Sequence, residues 1–165
     1  MPNVGDYGSA LGALVALAAA GFAARQAHIQ HRREDFELAR ALHADLTTGP
    51  FAEARDLLGA VVFGKAAPAG KSVDDVRQAY FTLLWCFERI EGGRRSMADR
   101  HPVNNAGGGS SDRAIAFLDD VIGWHVRFWR KDFDTVRDWL KQQTGAKISD
   151  EDSSAAFKRL ADHFP

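Results

Sequence analysis

Apolar residues recur along this chain at the three-and-four spacing of α-helices, and the pattern divides it into about five helices. The densest stretch is Val76 to Ile90, which is apolar from Ala79 to Phe87 at every position except Thr82. Helix residues are set about 100° apart, so such a run leaves no face for water and predicts a central helix covered on several sides. It is too short to cross a bilayer, and Arg77, Glu88 and Arg89 close its ends. Ser72 with Asp75 three residues on predicts a capping box at its start, and Gly92-Gly93 predicts its end.

Upstream, Ile29, Phe36, Ala39, Leu42 and Leu46 make one stripe, and after Ala24 no Gly or Pro intervenes before Gly49-Pro50. One long helix from about Tyr7 to Leu46 is expected. A second, from about Phe51 to Val62, buries Ala54, Leu57, Leu58, Val61 and Val62, although Ala60 to Phe63 also reads as a short strand. Gly64 to Lys71 reads as a loop. A fourth helix starts near Asp112 and buries Ile115, Leu118, Val121, Ile122, His125, Phe128 and Trp129, with Asp132 expected to begin a new turn before Val136, Trp139 and Leu140. Ser149 is expected to cap a last helix, with Asp150, Glu151 and Asp152 set against the positive end of its dipole. Its inward face is Ala156, Phe157, Leu160 and Phe164. The expected fold is all-α, a helical bundle whose first helix is long and extended.

From Tyr7 to Ala24 the chain carries no charge, which just reaches the length of a transmembrane helix. Asp6 precedes this run, and Arg25, Arg32 and Arg33 follow it with His28 and His31 between. Positive charge stays on the cytoplasmic side. The expectation is a short tail and membrane helix over 1–24 and a cytoplasmic helical-bundle domain over 25–165, anchored once in a bacterial cell membrane through lipid contacts of 7–24. A buried Ala-rich helix of a soluble bundle and a secretory signal peptide are the rival readings, the latter lacking the Lys or Arg expected before its apolar run. Gly8, Gly12, Ala16 and Ala20 recur every four residues, a spacing that lets membrane helices associate, so a homo-oligomer is a further expectation.

Length and charge narrow the function. The 165 residues suffice for one compact domain, and 21 Lys plus Arg against 22 Asp plus Glu leave a net charge of −1, with no overall footprint for nucleic acid. Cys86 is the single cysteine, so no internal disulfide forms, and its setting between Trp85 and Phe87 reads as core. Heavy use of Ala, Gly, Arg and Asp matches a GC-rich bacterial genome.

Candidate chemistry is sparse. Gly64 to Ser72 imitates a phosphate-binding loop, but five residues separate the two glycines where that loop has four. His28 and His31 lie on one helix without a third ligand of convincing spacing, so no metal site or cofactor is expected. His125 reads as a hydrogen-bonded core histidine. Arg94 to Ser111, with Pro102, two Asn and a Gly-Gly-Gly-Ser-Ser run, reads as a flexible loop. Its arginines Arg94, Arg95 and Arg100 are candidate partner contacts. So are Trp124 and Arg130, the exposed exceptions expected in the aromatic-basic stretch from Trp124 to Lys131.

Two resemblances bear on function. Arg95 to His101 resembles the Arg-(four to six residues)-His signature of the helical nuclease superfamily whose name joins higher eukaryotes and prokaryotes nucleotide binding. That would imply RNA cleavage by a dimer with Arg95 and His101 as catalytic residues, although Ser96 stands where that family prefers Asn, Asp or His, and Arg25 to His31 matches as well. Phe36 to Arg40, Ala52 to Leu58, Phe81 to Glu91 and Trp124 to Trp129 together are similar to an uncharacterised bacterial family with one N-terminal membrane helix and a cytoplasmic helical domain. This second resemblance implies no catalytic residue. The leading expectation is a membrane-anchored, non-enzymatic interaction or scaffold module with an unidentified protein partner, and the alternative is the ribonuclease.

Overall fold

A computed structural model describes residues 4–100 and 110–165, with side chains described from 12–100 and 113–165. Those residues form five helices: α1 (Val4–Thr47), α2 (Gly49–Gly64), α3 (Val73–Asp99), α4 (Ser110–Thr144) and α5 (Glu151–Ala161). Among them there is no strand, so the strand-like stretch at Ala60 to Phe63 is helical, as the last turn of α2.

Helix α3 is the axis of the bundle and packs against each of the other four helices. Its start is the expected capping box: the Asp75 N–H donates to Ser72 Oγ at 3.1 Å, and the Ser72 N–H donates to Asp75 Oδ2 at 2.7 Å. Val76, Leu83, Phe87 and Ile90 are fully buried, and Cys86 lies among them with its thiol pushed up to about 12 by burial, which suits packing and not reactivity. Trp85 is the departure, half of it open to solvent beside Phe81.

Gly92-Gly93 does not end α3, which runs on to Asp99. The reason lies in packing: a Cβ on Gly93 would stand 2.6 Å from Leu42 Cδ1, so the glycine lets α1 approach closely. Beyond it, Met97 is fully buried, and the Arg94 guanidinium grips both oxygens of Asp119 at 2.9 and 3.0 Å. The flexible loop expected over 94–111 is therefore helical as far as Asp99, and helix α4 begins at Ser110. Residues 101–109 lie outside the described residues.

Asp132 does not restart α4 either. Leu118, Ile122, Val126, Trp129, Phe133, Val136 and Leu140 are all buried along one unbroken stripe, and each is three or four residues from the next, as one continuous face requires. Gly145, at φ +63°, then ends the helix with its N–H on the Lys141 carbonyl. Asp150, not Ser149, takes the N-cap position of α5, and its side chain turns inward instead of capping.

The Gly49-Pro50 stop-and-start pair is as expected, with Gly49 at φ +60° and Pro50 in the first turn of α2. From Phe36 onward α1 belongs to the bundle, burying Ala39, Leu42 and Leu46. Its other half does not. Every residue from Gly12 to His28 is exposed, so the reading of a buried Ala-rich helix fails there. Among the described residues no helix is long and apolar enough to cross a membrane. The span expected from Tyr7 to Ala24 thus lacks that support, and its first five side chains lie outside the described ones.

Candidate functional site

The most open apolar surface of the bundle lies where the end of α2 meets the middle of α4. Phe63 is 77 % exposed and Trp124 is 62 % exposed. Phe128 joins them, with the Trp124 ring stacked on it at 5.5 Å and 20°, and the Phe63 ring 6.1 Å away. These rings border a groove of about 540 Å³, walled also by Arg55, Asp56, His125 and Trp129. That volume is in the range of small-molecule sites, roughly 300–1,000 Å³.

Two residues beside the groove carry a buried polar atom without a partner among the described residues. Trp129 is only 1 % exposed, and its indole Nε1 is buried without a hydrogen-bond partner among the described residues. His125 Nδ1 is in the same position. A buried donor left unpaired costs about 1–3 kcal/mol. His125 is thus only half-buried where a core position was expected, and its Nδ1 lacks the hydrogen bond that a settled core histidine would have among the described residues.

The local field is positive. Burial lowers the His125 pKa first, and the charges of Arg55 and His43 lower it further. Arg55 donates to Asp56 at 3.0 and 3.1 Å, a pair whose carboxylate is 71 % exposed and therefore screened. A test on stability follows from the histidine. Its folded-state value lies below the ordinary 6.5, so as pH falls the unfolded chain takes up the proton first. Stability therefore drops as pH falls through about 6.5 and levels off below the folded value. The denaturation midpoint is expected to fall between about pH 7.5 and 5.5, and to fall less in His125→Gln. Equal slopes in the two proteins would remove His125 from the account.

The other candidate residues are scattered. Arg94 is engaged with Asp119, and the exposed Arg100 with the buried Asp35 at 3.2 Å, so both side chains reach across to another helix. Arg95 is exposed and pairs with Glu91 one turn before it. His101 lies outside the described residues. Arg130 is exposed and donates to the Phe164 carbonyl at 3.1 Å, on the side of α4 that faces α5 and away from Trp124. Trp124 alone of the five partner candidates lines the aromatic groove.

The remaining motifs stay apart. His28 is exposed, His31 pairs with Glu34 at 3.4 Å, and among the described residues no group of three or more metal-ligating side chains forms. Gly64 to Ser72 joins two helices, where a phosphate loop would follow a strand. A second polar cluster, Tyr80, Arg137, Ser154 and Asp150, is buried and internal: the Tyr80 hydroxyl donates to Asp150 Oδ2 at 2.5 Å and Arg137 to Oδ1 at 2.6 Å. It joins α3, α4 and the start of α5, and burial with the hydrogen bond to Asp150 pushes the Tyr80 phenol up.

Sequence reasoning placed Trp124 and Phe128 correctly on one helix but missed Phe63. Sixty-one residues separate Phe63 from Trp124, and only the packing of α2 on α4 brings them together. One signal was available: Phe63 follows Val61 and Val62 on a helix whose buried positions were already filled. Comparisons with protein-family models, with curated proteins and with solved structures give no match.

Proposed function

We propose that this chain is a membrane-tethered, non-enzymatic helical module, seated in a bilayer by the N-terminal half of α1 and presenting the bundle on the cytoplasmic side. The observation that carries the reading is the uncovered apolar half of α1. Leu14, Val15, Leu17 and Phe22 are each at least 63 % exposed. At 100° per residue they span an arc of about 160°, Ala and Gly occupy the rest of the cylinder, and no charge lies among them. Lipid can cover such a charge-free cylinder on every side, its backbone hydrogen bonds being satisfied within the helix.

The flanking charges agree with this placement. Arg25, Arg32 and Arg33 follow the apolar half directly, where headgroups and the positive-inside bias favour them. The 18 residues from Tyr7 to Ala24 would measure about 27 Å as a helix, close to the roughly 30 Å hydrocarbon core.

The test is fractionation of cells that make the full chain or a chain beginning at Gln26. Only the full chain is expected to sediment with membranes and to resist carbonate extraction. If both chains remain in the supernatant, the tether does not exist.

A further inference from the structure

We infer that one side of α1, just past its apolar half, is a docking surface for the phosphate headgroups of anionic phospholipids, which rests on the tether proposed above and names the lipid it meets. Counted at 100° per residue, Arg25, Arg32, Arg33 and Arg40 fall within about 100° of one another, inside the arc that holds Leu14, Val15, Leu17 and Phe22. The bulky apolar side chains therefore run straight into the arginines along one side of an unbroken helix. These arginines are also free where others are held. Arg77, Arg89, Arg94, Arg95 and Arg100 each meet a carboxylate, whereas the four on α1 meet none among the described residues. Finally, Arg32 and Arg33 border a groove of about 360 Å³ together with the half-buried Ile29 and Phe36. A phosphate between the two guanidinia has apolar surface beside it for its glycerol. Glu37 also borders the groove but pairs with neither arginine, and Glu34 lies farther round the helix, held by Gln30 and His31.

The planar guanidinium fork matches phosphate oxygens in two parallel bonds. Distance along the helix separates a lipid phosphate from a soluble anion. Arg32 and Arg33 stand about 12–14 Å along the axis beyond Ala24, and the headgroup layer is roughly 5–8 Å deep. Helix side chains lean toward the N-terminus, here toward the bilayer, so these two long side chains reach down to the headgroups. A tilt of about 20° toward the arginine side, ordinary for a membrane helix, closes the gap further. Arg40, about 24 Å beyond Ala24, stays outside the layer and is screened from it by salt. A soluble acidic partner would use Arg40 as readily as Arg33, because both are exposed and unpaired among the described residues.

The experiment reconstitutes the full chain into phosphatidylcholine vesicles that carry a trace of spin-labelled phosphatidylglycerol or spin-labelled phosphatidylcholine. Electron spin resonance reads the motionally restricted fraction of each label. Phosphatidylglycerol is expected to associate about fivefold or more strongly than phosphatidylcholine, the factor that one arginine near an anionic headgroup supplies. The Arg32→Gln, Arg33→Gln double variant is expected to lower that ratio about threefold or more. The Arg40→Gln, Arg77→Gln double variant removes as much charge and is expected to leave the ratio in place. Arg32→Lys with Arg33→Lys, which keeps the charge, should retain most of the preference even where the glutamines disturb folding. A chain that stays in the vesicles through carbonate but takes both lipids equally overturns the docking surface and leaves the tether standing. Equal losses in the two glutamine variants overturn it as well, because the preference would then follow net charge. A chain that never enters the vesicles overturns the tether and the docking surface together.

Discussion

Arg137→Ala is expected to lower the unfolding free energy by about 3–5 kcal/mol at neutral pH, a large share of the roughly 5–15 kcal/mol that holds a domain of this size together. The Asp150 carboxylate side chain is fully buried, and among the described residues Arg137 supplies the one cation bonded to it, at 2.6 Å. Without the guanidinium, the Tyr80 and Ser154 hydroxyls still donate to Oδ2 at 2.5 and 3.1 Å, but they do not balance the charge. Removing one partner of a buried pair costs far more than replacing both, so Arg137→Ala and Asp150→Ala should be strongly non-additive. Denaturant melts of the two single variants and the double variant check this. A double variant whose loss equals the sum of the two single losses would mean that the pair is not coupled.

The second large effect is expected from Phe133→Ala, at about 3–5 kcal/mol. Phe133 is the hub of the aromatic core. Its ring lies 4.7 Å from Phe157, 5.2 Å from Trp129, 5.6 Å from Tyr80 and 5.9 Å from Phe87, so two helices besides its own lose or loosen a contact when it goes. Several of these pairs meet edge to face, the favoured arrangement for aromatic rings. Phe133→Leu should recover more than half of the loss, because it refills most of the volume. Thermal melts followed by near-ultraviolet dichroism report both changes. A Phe133→Ala protein within about 1 kcal/mol of the parent would show that the core collapses around the gap, contrary to close packing.

Local signals in the sequence carried much of the architecture, and the misreadings share a cause. Ser72 and Asp75 act on each other three residues apart, so the capping box was legible, and so was the Gly49-Pro50 junction. Gly92-Gly93, Asp132 and Ser149 carry equally strong local signals, and all three were overruled by partners distant in sequence. Leu42 takes up the space that Gly93 leaves, the stripe from Leu118 to Leu140 carries α4 across Asp132, and Tyr80 with Arg137 draws the Asp150 side chain inward. The same limit explains the arginines. Arg94 and Arg100 read as free surface charge because Asp119 and Asp35, which hold them, lie 25 and 65 residues away. Of the groove, the sequence disclosed the ring stripe on α4 and not the facing Phe63.

Helix α1 has one more consequence. No break separates the half that carries Leu14 and Phe22 from the half that buries Ala39, Leu42 and Leu46. The two halves therefore share one axis and one phase, like the two ends of a shaft. A single residue inserted near Gln26 would turn one end against the other by about 100° and separate them by about 1.5 Å, whereas inserting seven residues would nearly restore the phase after two turns. Whatever the exposed end engages, the direction in which the Phe63–Trp124 groove faces is set by a count of residues.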